Sequence, residues 1–161
     1  MNAQPHNNQN TRRRTFSGAD VANKYDHEVL EIARVVRVVK GGRRFRFRAS
    51  VVVGDRNGSV GFGVAKSRDV QTAIMKAQAQ AEKKLQKVTV VDGSIPYLVT
   101  VNYKGAKIML KPARPGTGVI AGGTVRMVAD LAGIKDLVGK RYGSANRVSN
   151  ARATIKALAS F

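Results

Sequence analysis

The chain has 161 residues, no cysteine and a formal net charge of +19, with 29 Lys and Arg against 10 Asp and Glu. The lack of cysteine excludes disulfides and thiolate zinc sites, and no apolar run reaches the roughly 18–20 residues that span a bilayer. Hydrophobic residues make up 43% of the chain, enough for a core. A folded body this positive is therefore expected to bind a polyanion. Nucleic acid is the obvious one, and an anionic membrane surface is the weaker alternative.

Residues 1–27 are predicted to form a disordered polar and basic arm. Asn or Gln occupies six of the first ten positions, Arg12, Arg13 and Arg14 follow, and no apolar periodicity is visible before Glu28. An organellar transit peptide is the alternative interpretation, but the Asn/Gln bias and the missing amphipathic pattern disfavour it.

Residues 28–91 are predicted to form a β-β-β-α unit. Strands are expected over Val29–Val39, Arg44–Val53 and Ser59–Ala65, and Gly41-Gly42 is typical of a hairpin turn. Ser67 or Asp69 can cap a helix over Val70–Lys87. The apolar stripe of that helix consists of Ile74, Ala77, Ala81, Leu85 and Val88.

Residues 92–161 are predicted to form a second unit, β-β-α-β-α. A hairpin is expected over Tyr97–Tyr103 and Ala106–Leu110, followed by a helix over Gly123–Ala132 that Gly133 ends. A short strand at Asp136–Val138 and a last helix opened by Asn146 or Ser149 complete the unit. Each half has about 65 residues, a size that is marginal alone, so the halves are expected to dock on each other.

The pattern of acids and histidines argues against an enzyme. The two histidines are His6 and His27, no pair of carboxylates has a spacing typical of acid–base work, and no cluster has metal-ligand spacing. We therefore expect no catalytic residue, no metal, no cofactor and no small-molecule substrate.

The segment Gly116–Ala121 is the best enzyme-like motif, since it fits the loose dinucleotide pattern G-x-G-x-x-G/A, with Asp136 twenty residues after Gly116. Two prolines in Lys111–Pro115 separate it from the preceding strand, which such a motif should follow directly. A nucleotide-dependent enzyme using Gly116–Gly123 stays open as a rival. Alternatively, the glycine-rich backbone before a helix could contact a phosphate of an RNA chain.

The predicted first hairpin carries a dense set of cations. Its tip, Lys40–Arg44, holds three, and alternation places Arg44, Arg46 and Arg48 on one face of the second strand. Three like charges on one face repel each other unless an anion is present, which favours nucleic-acid contact. Phe45 and Phe47 fall on the opposite face, where packing under the helix is more plausible than stacking on bases.

Several segments in order resemble the bacterial ribosomal protein S5 family. In the first half they are Val39–Arg43, Val52–Asp55 with Asn57-Gly58, and Gly61–Gly63 leading to Lys66–Val70. In the second half they are Lys111–Ala113, Gly116–Gly123, Tyr142–Ser144 and Arg152–Thr154. Each piece is weak, but their ordered combination over residues 28–161 is specific.

The resemblance implies an α+β protein with a double-stranded-RNA-binding-like first domain and a second domain with a left-handed βαβ crossover. It implies a cytoplasmic constituent of the small ribosomal subunit that binds small-subunit rRNA and supports assembly, mRNA entry and decoding accuracy. The expected partners are that rRNA, the fourth and eighth small-subunit proteins, and mRNA near the entry channel, with no membrane. The family often has Asn-Pro where this chain has Asn146-Arg147, and relatives commonly continue beyond Phe161. A free-standing double-stranded-RNA-binding regulator is the closest rival.

The expected RNA contacts are the basic residues of the hairpin and loops together with the glycine-rich turns. They are Arg37, Lys40, Gly41, Gly42, Arg43, Arg44, Arg46, Arg48, Lys66, Arg68, Lys111, Arg114, Gly116, Thr117, Gly118, Arg141, Asn146 and Arg147.

Overall fold

The computed structural model describes residues 25–161, so the predicted arm lies almost entirely outside the described residues. The first unit is an antiparallel sheet of four strands with one helix. The strands, in the order β1-β2-β3-β4, are β1 (Asp26–Val39), β2 (Gly42–Gly54), β3 (Ser59–Ser67) and β4 (Gln86–Lys87), and the helix is α1 (Val70–Glu82). β1 begins at Asp26, inside the segment assigned to the arm.

Helix α1 lies unusually close to the sheet because small residues meet on both sides. Its buried positions are Ala73, Ala77 and Ala81. A Cβ atom on Gly61 or Gly63 of β3 would overlap the carbonyl oxygens of Ala81 and Ala77, respectively. The glycines that a strand normally disfavours are thus what allows this contact.

The predicted length of α1 was wrong at its C-terminal end. The Asp69 side chain accepts a hydrogen bond from the Thr72 amide and caps the N-terminus as predicted. The helix ends at Glu82, and Gln86–Lys87 instead pair with Ser59–Val60 as an edge strand. Leu85 is therefore beyond the helix, and Val88 is buried in a different cluster from the alanines.

The second unit is a four-stranded mixed sheet with two helices. The strands are β5 (Val99–Tyr103), β6 (Ala106–Pro112), β7 (Val119–Ile120) and β8 (Leu137–Gly143), in the order β5-β6-β8-β7. The helices are α2 (Gly123–Ala132), which has the predicted bounds, and α3 (Arg147–Leu158). β7 was not predicted, and it pairs in parallel with β8 to make a β7-α2-β8 unit. The left-handed sense of this crossover stays a prediction.

The two units share the larger of two hydrophobic clusters. Ala49, Val51 and Val53 of β2 pack with the alanines of α1. Val52, the intervening residue, belongs to a larger cluster with residues of α2 and α3. The C-terminal part of β2, residues 49–53, is therefore buried on both faces, by α1 on one and by the second unit on the other.

Candidate nucleic-acid interface

One face of the sheet formed by β1, β2 and β3, beyond the area covered by the second unit, carries five basic side chains. These residues, here called the cationic face, are Arg37, Arg44, Arg46, Arg48 and Lys66. Arg37 lies directly opposite Arg44, and Arg48 directly opposite Lys66. Opposite residues of an antiparallel pair point to the same side, and like charges placed so are destabilising. The sheet thus brings positive charges close together, and a bound anion would reduce the repulsion between them.

Little within the chain neutralises this charge. Within residues 25–161, Arg48 is the one member of the cationic face in an ion pair, with its Nη2 atom 3.5 Å from Oε1 of Glu31. Both side chains are about one-third exposed, so solvent weakens that pair. The other four basic side chains are exposed. A groove of about 220 Å³ runs between Arg37, Arg44, Arg46 and Lys66, with Val35 and Val36 as its apolar lining.

The hairpin tip extends the cationic face. Lys40, Gly41, Gly42 and Arg43 are all exposed. Gly42 has φ +130°, a conformation that L side chains rarely adopt, and no atom would contact a Cβ at either glycine. The tip is therefore slim as well as basic, and backbone can approach a groove or a phosphate ridge there.

Phe45 is not in the core, contrary to the sequence-based expectation. It is 43% exposed, and the Arg34 guanidinium carbon lies 3.8 Å from the centre of its ring. The alanines of α1 cover Ala49, Val51 and Val53. Phe47, closer to the hairpin tip, is only half-buried. Phe45 and Arg68 together line a hollow of about 450 Å³ beside Arg44 and Arg46. Arg34 lies opposite Phe47 in the β1–β2 pairing, so it shares the phenylalanine side of the sheet and not the cationic face. It is a further exposed cation beside the hairpin that sequence reasoning missed.

In the second unit, backbone amides of the glycine-rich turn already donate hydrogen bonds within the chain. Gly116 and Gly118 have φ of +86° and +73°. The Thr117 amide donates to the Arg114 carbonyl oxygen at 3.1 Å, and the Gly118 amide donates to Oδ1 of Asp136 at 2.8 Å. Those two N–H groups are not free for a phosphate. Lys111 and Arg114 are exposed beside this turn.

The same contacts argue against a dinucleotide site. Asp136, the acid that would bind a ribose, is 8% exposed and accepts the Gly118 amide. The motif also overlaps the short β7 strand instead of following a strand and opening a helix. Among residues 25–161, no group of three or more His, Cys, Asp or Glu could hold a metal ion. No helix in that range is long and apolar enough to cross a membrane.

The last predicted contacts lie near the start of α2 and α3. Arg141 and Arg147 line a cavity of about 440 Å³ with Gly123 and Thr124, and α2 has no side-chain cap at Gly122. Asn146 caps α3 by accepting hydrogen bonds from the amides of Val148 and Ser149. Arg147 donates to the Leu30 carbonyl oxygen at 3.2 Å and so joins the two units. Asn146 thus caps α3 as predicted. Arg147, for which the sequence indicated only RNA contact, also has a structural role.

Comparisons with known proteins match both halves of the chain to one family. The model of the ribosomal protein S5 N-terminal domain matches residues 25–89, and that of the C-terminal domain matches residues 101–161. The small ribosomal subunit protein uS5 of Chlamydia pneumoniae is 46% identical over 134 residues, which cover 83% of this chain and 81% of the relative. The proteins of that name from Chlamydia trachomatis serovar D and Chlamydia muridarum match with the same identity and coverage.

Proposed function

The chain belongs to the ribosomal protein S5 family, and we propose that it is a structural constituent of the small ribosomal subunit that binds small-subunit rRNA. It acts in the cytoplasm, within that subunit, as part of translation. Its chemistry is neutralisation of phosphates and recognition of RNA shape, with no catalytic step.

The cationic face is the observation that carries the binding mode. Its two like-charged cross-strand pairs are unfavourable in the free protein, and a phosphate backbone laid along the groove relieves both of them. Arginine suits this role because its planar guanidinium donates two parallel hydrogen bonds to a phosphate. Release of counterions from the RNA adds to the affinity and makes it depend on salt.

We assign the main contacts to Arg37, Lys40, Arg43, Arg44, Arg46 and Arg48, with Lys66 and Arg68 beside them. The two glycines of the tip let the backbone approach the RNA. In the second unit, Lys111, Arg114, Arg141 and Arg147 add contacts. Gly116, Thr117, Gly118 and Asn146 stay candidates for contact, through whatever groups their internal hydrogen bonds leave free.

The finer role follows from the family resemblance. The protein would help fix rRNA helices during subunit assembly, lie near the channel through which mRNA enters, and support accurate decoding. Its protein neighbours would be the fourth and eighth small-subunit proteins.

Sedimentation separates this proposal from its closest rival. At moderate salt, a ribosomal constituent sediments with the small subunit, whereas a free-standing double-stranded-RNA-binding regulator stays at the top of the gradient. Recovery of the chain only in the top fractions would contradict the proposal. Equilibrium dialysis against nicotinamide and adenine nucleotides tests the enzymatic rival, and micromolar binding there would favour that rival.

A further inference from the structure

A second basic pocket lies where the β3–β4 edge of the first sheet meets β5 and α3. This junction pocket has a volume of about 280 Å³ and is lined by Phe62, Lys84, Gln86, Tyr103, Arg152 and Ile155. It is built from both units, so it exists only when they are docked. None of its residues belongs to the cationic face or to the expected RNA contacts.

The pocket presents hydrogen-bond donors in a fixed arrangement. Arg152 Nη1 donates to the Tyr103 hydroxyl oxygen at 3.2 Å. The guanidinium carbon of Arg152 lies 5.8 Å from the centre of the Phe62 ring, which supports the side chain from beneath. Because the tyrosine oxygen accepts from Arg152, its own proton is free to be donated to an incoming anion.

The surroundings are positive. The hydrogen bond from Arg152 lowers the pKa of Tyr103, burial opposes this shift, and the charges of Arg152, Lys104 and Lys156 lower the pKa further. Lys84, Lys104, Arg152 and Lys156 are exposed, and within residues 25–161 none of them is in an ion pair. No carboxylate lines the pocket.

We propose that the junction pocket is a second phosphate-binding site, which holds a stretch of RNA backbone through Lys84, Tyr103, Arg152 and Lys156. The inference rests on the proposed binding of rRNA and extends it to a surface that the sequence did not indicate. A stacked base is disfavoured because the Phe62 ring is only 8% exposed. An acidic protein segment is disfavoured because a protein interface has an apolar centre, whereas the accessible groups here are cations, an amide and a hydroxyl.

This second site contacts a different part of the RNA from the cationic face. Phe62 pairs with Val52, and Val52 lies eight residues along β2 from Arg44, which is about 26 Å in an extended strand. Charges along one strand of a duplex are about 3.4 Å apart. At that spacing the two sites are separated by roughly eight phosphates of one strand, so they contact different phosphates, and the docked units fix the distance between them.

Backbone footprinting on an intact small-subunit rRNA transcript tests the inference. The variant is Lys84→Gln with Lys156→Gln, which removes two exposed charges and no described hydrogen bond. The matched control is Lys76→Gln with Lys135→Gln, two exposed lysines outside both surfaces. We expect the variant to lose protection of one RNA stretch while protection by the hairpin persists. The slope of log K against log salt should also become shallower by about 0.7–0.9 for each phosphate that the variant no longer neutralises.

Two results would overturn the inference while leaving the proposed function in place. One is a footprint and salt slope equal to those of the control. The other is an unchanged footprint combined with poorer incorporation into the subunit, which would identify an acidic protein surface as the occupant. Tyr103→Phe is a further variant that keeps the ring, and it should weaken the same protection more mildly. If the unaltered chain protects no rRNA at all, the proposed function fails and this inference fails with it.

Discussion

The backbone amide of Arg56 lies 3.0 Å from the carbonyl oxygen of Leu131, and this hydrogen bond joins the β2–β3 turn to the last turn of α2. The Gly58 amide makes the same kind of bond to the Ala132 carbonyl oxygen at 3.0 Å. The last carbonyls of a helix have no partner within it. Here the other unit supplies partners for two of them. The two units are thus joined by directional bonds as well as by apolar packing, and we expect them to unfold in one transition.

Gly54→Ala should destabilise this junction. A Cβ at Gly54 would overlap the backbone carbonyl of Leu131, which cannot move without disturbing the end of α2. Overpacking of this kind costs about 1–3 kcal/mol, which urea denaturation should detect as a lower free energy of unfolding. Gly41→Ala is the matched control, since nothing lies within 4 Å of a Cβ there. Equal stability of the two variants would show that the units do not approach as described.

Asp55→Asn should make stability less dependent on acid pH. Burial raises the pKa of the Asp55 carboxyl, but hydrogen bonds from the amides of Asn57 and Ser59, both 2.8 Å, outweigh burial and hold the pKa below its ordinary value. The folded state thus favours the carboxylate. Its contribution is present above the unfolded-state pKa of about 3.9 and is lost as pH falls through the lower folded-state pKa.

Urea denaturation of both proteins across the acid range provides the measurement for Asp55. The free-energy difference between the native chain and Asp55→Asn should be largest near neutral pH and should shrink below about pH 4. A difference that stays constant over this range would mean that Asp55 titrates alike in the folded and unfolded states.

Phe45→Ala should cost little stability because the ring is on the surface. The loss should be about 1 kcal/mol or less, the size of an exposed cation–π contact with Arg34. Phe62→Ala is the comparison, and the loss of that buried ring should cost about 3–5 kcal/mol. Thermal and urea unfolding measure both losses. If the Phe45 variant is as unstable as the Phe62 variant, the Phe45 ring is buried in the core after all.

Replacement of Lys40, Arg43 and Arg44 by Ala should weaken rRNA binding and its salt dependence. The slope of log K against log salt should become shallower by about 0.7–0.9 for each phosphate that the altered tip leaves unpaired. Replacement of Lys76, Lys83 and Lys135 by Ala removes the same charge from exposed positions elsewhere. If the two triple variants give equal slopes of log K against log salt, the hairpin tip does not contact RNA phosphates.

Several features of the candidate site could be predicted because they depend on near neighbours along the chain. The alternation of Arg44, Arg46 and Arg48 follows from strand geometry. Asp69 and Asn146 act as helix caps because their short side chains accept nearby amides. Gly133, with φ +84°, ends α2 where predicted. The family resemblance rests on such local segments in order, so it too was visible in the sequence.

The remaining features depend on how far one element extends over another. Phe45 and Val51 occupy equivalent positions in the alternation, but α1 covers Val51 and leaves Phe45 exposed. Gln86–Lys87 fit a helical pattern, yet they pair with β3 because that edge is open to them. The junction pocket brings Lys84, Tyr103 and Arg152 together from distant parts of the chain.

The sequence by itself determined the charge, the strand and helix periodicities, the caps and the family, because each of these depends on composition or on residues close along the chain. Only the tertiary structure decided which of the alternating side chains are covered, where α1 ends, and that the two units share a core and a second basic pocket. Burial is a property of contacts between distant segments, and a periodic pattern identifies the residues that share a face without indicating what lies against it.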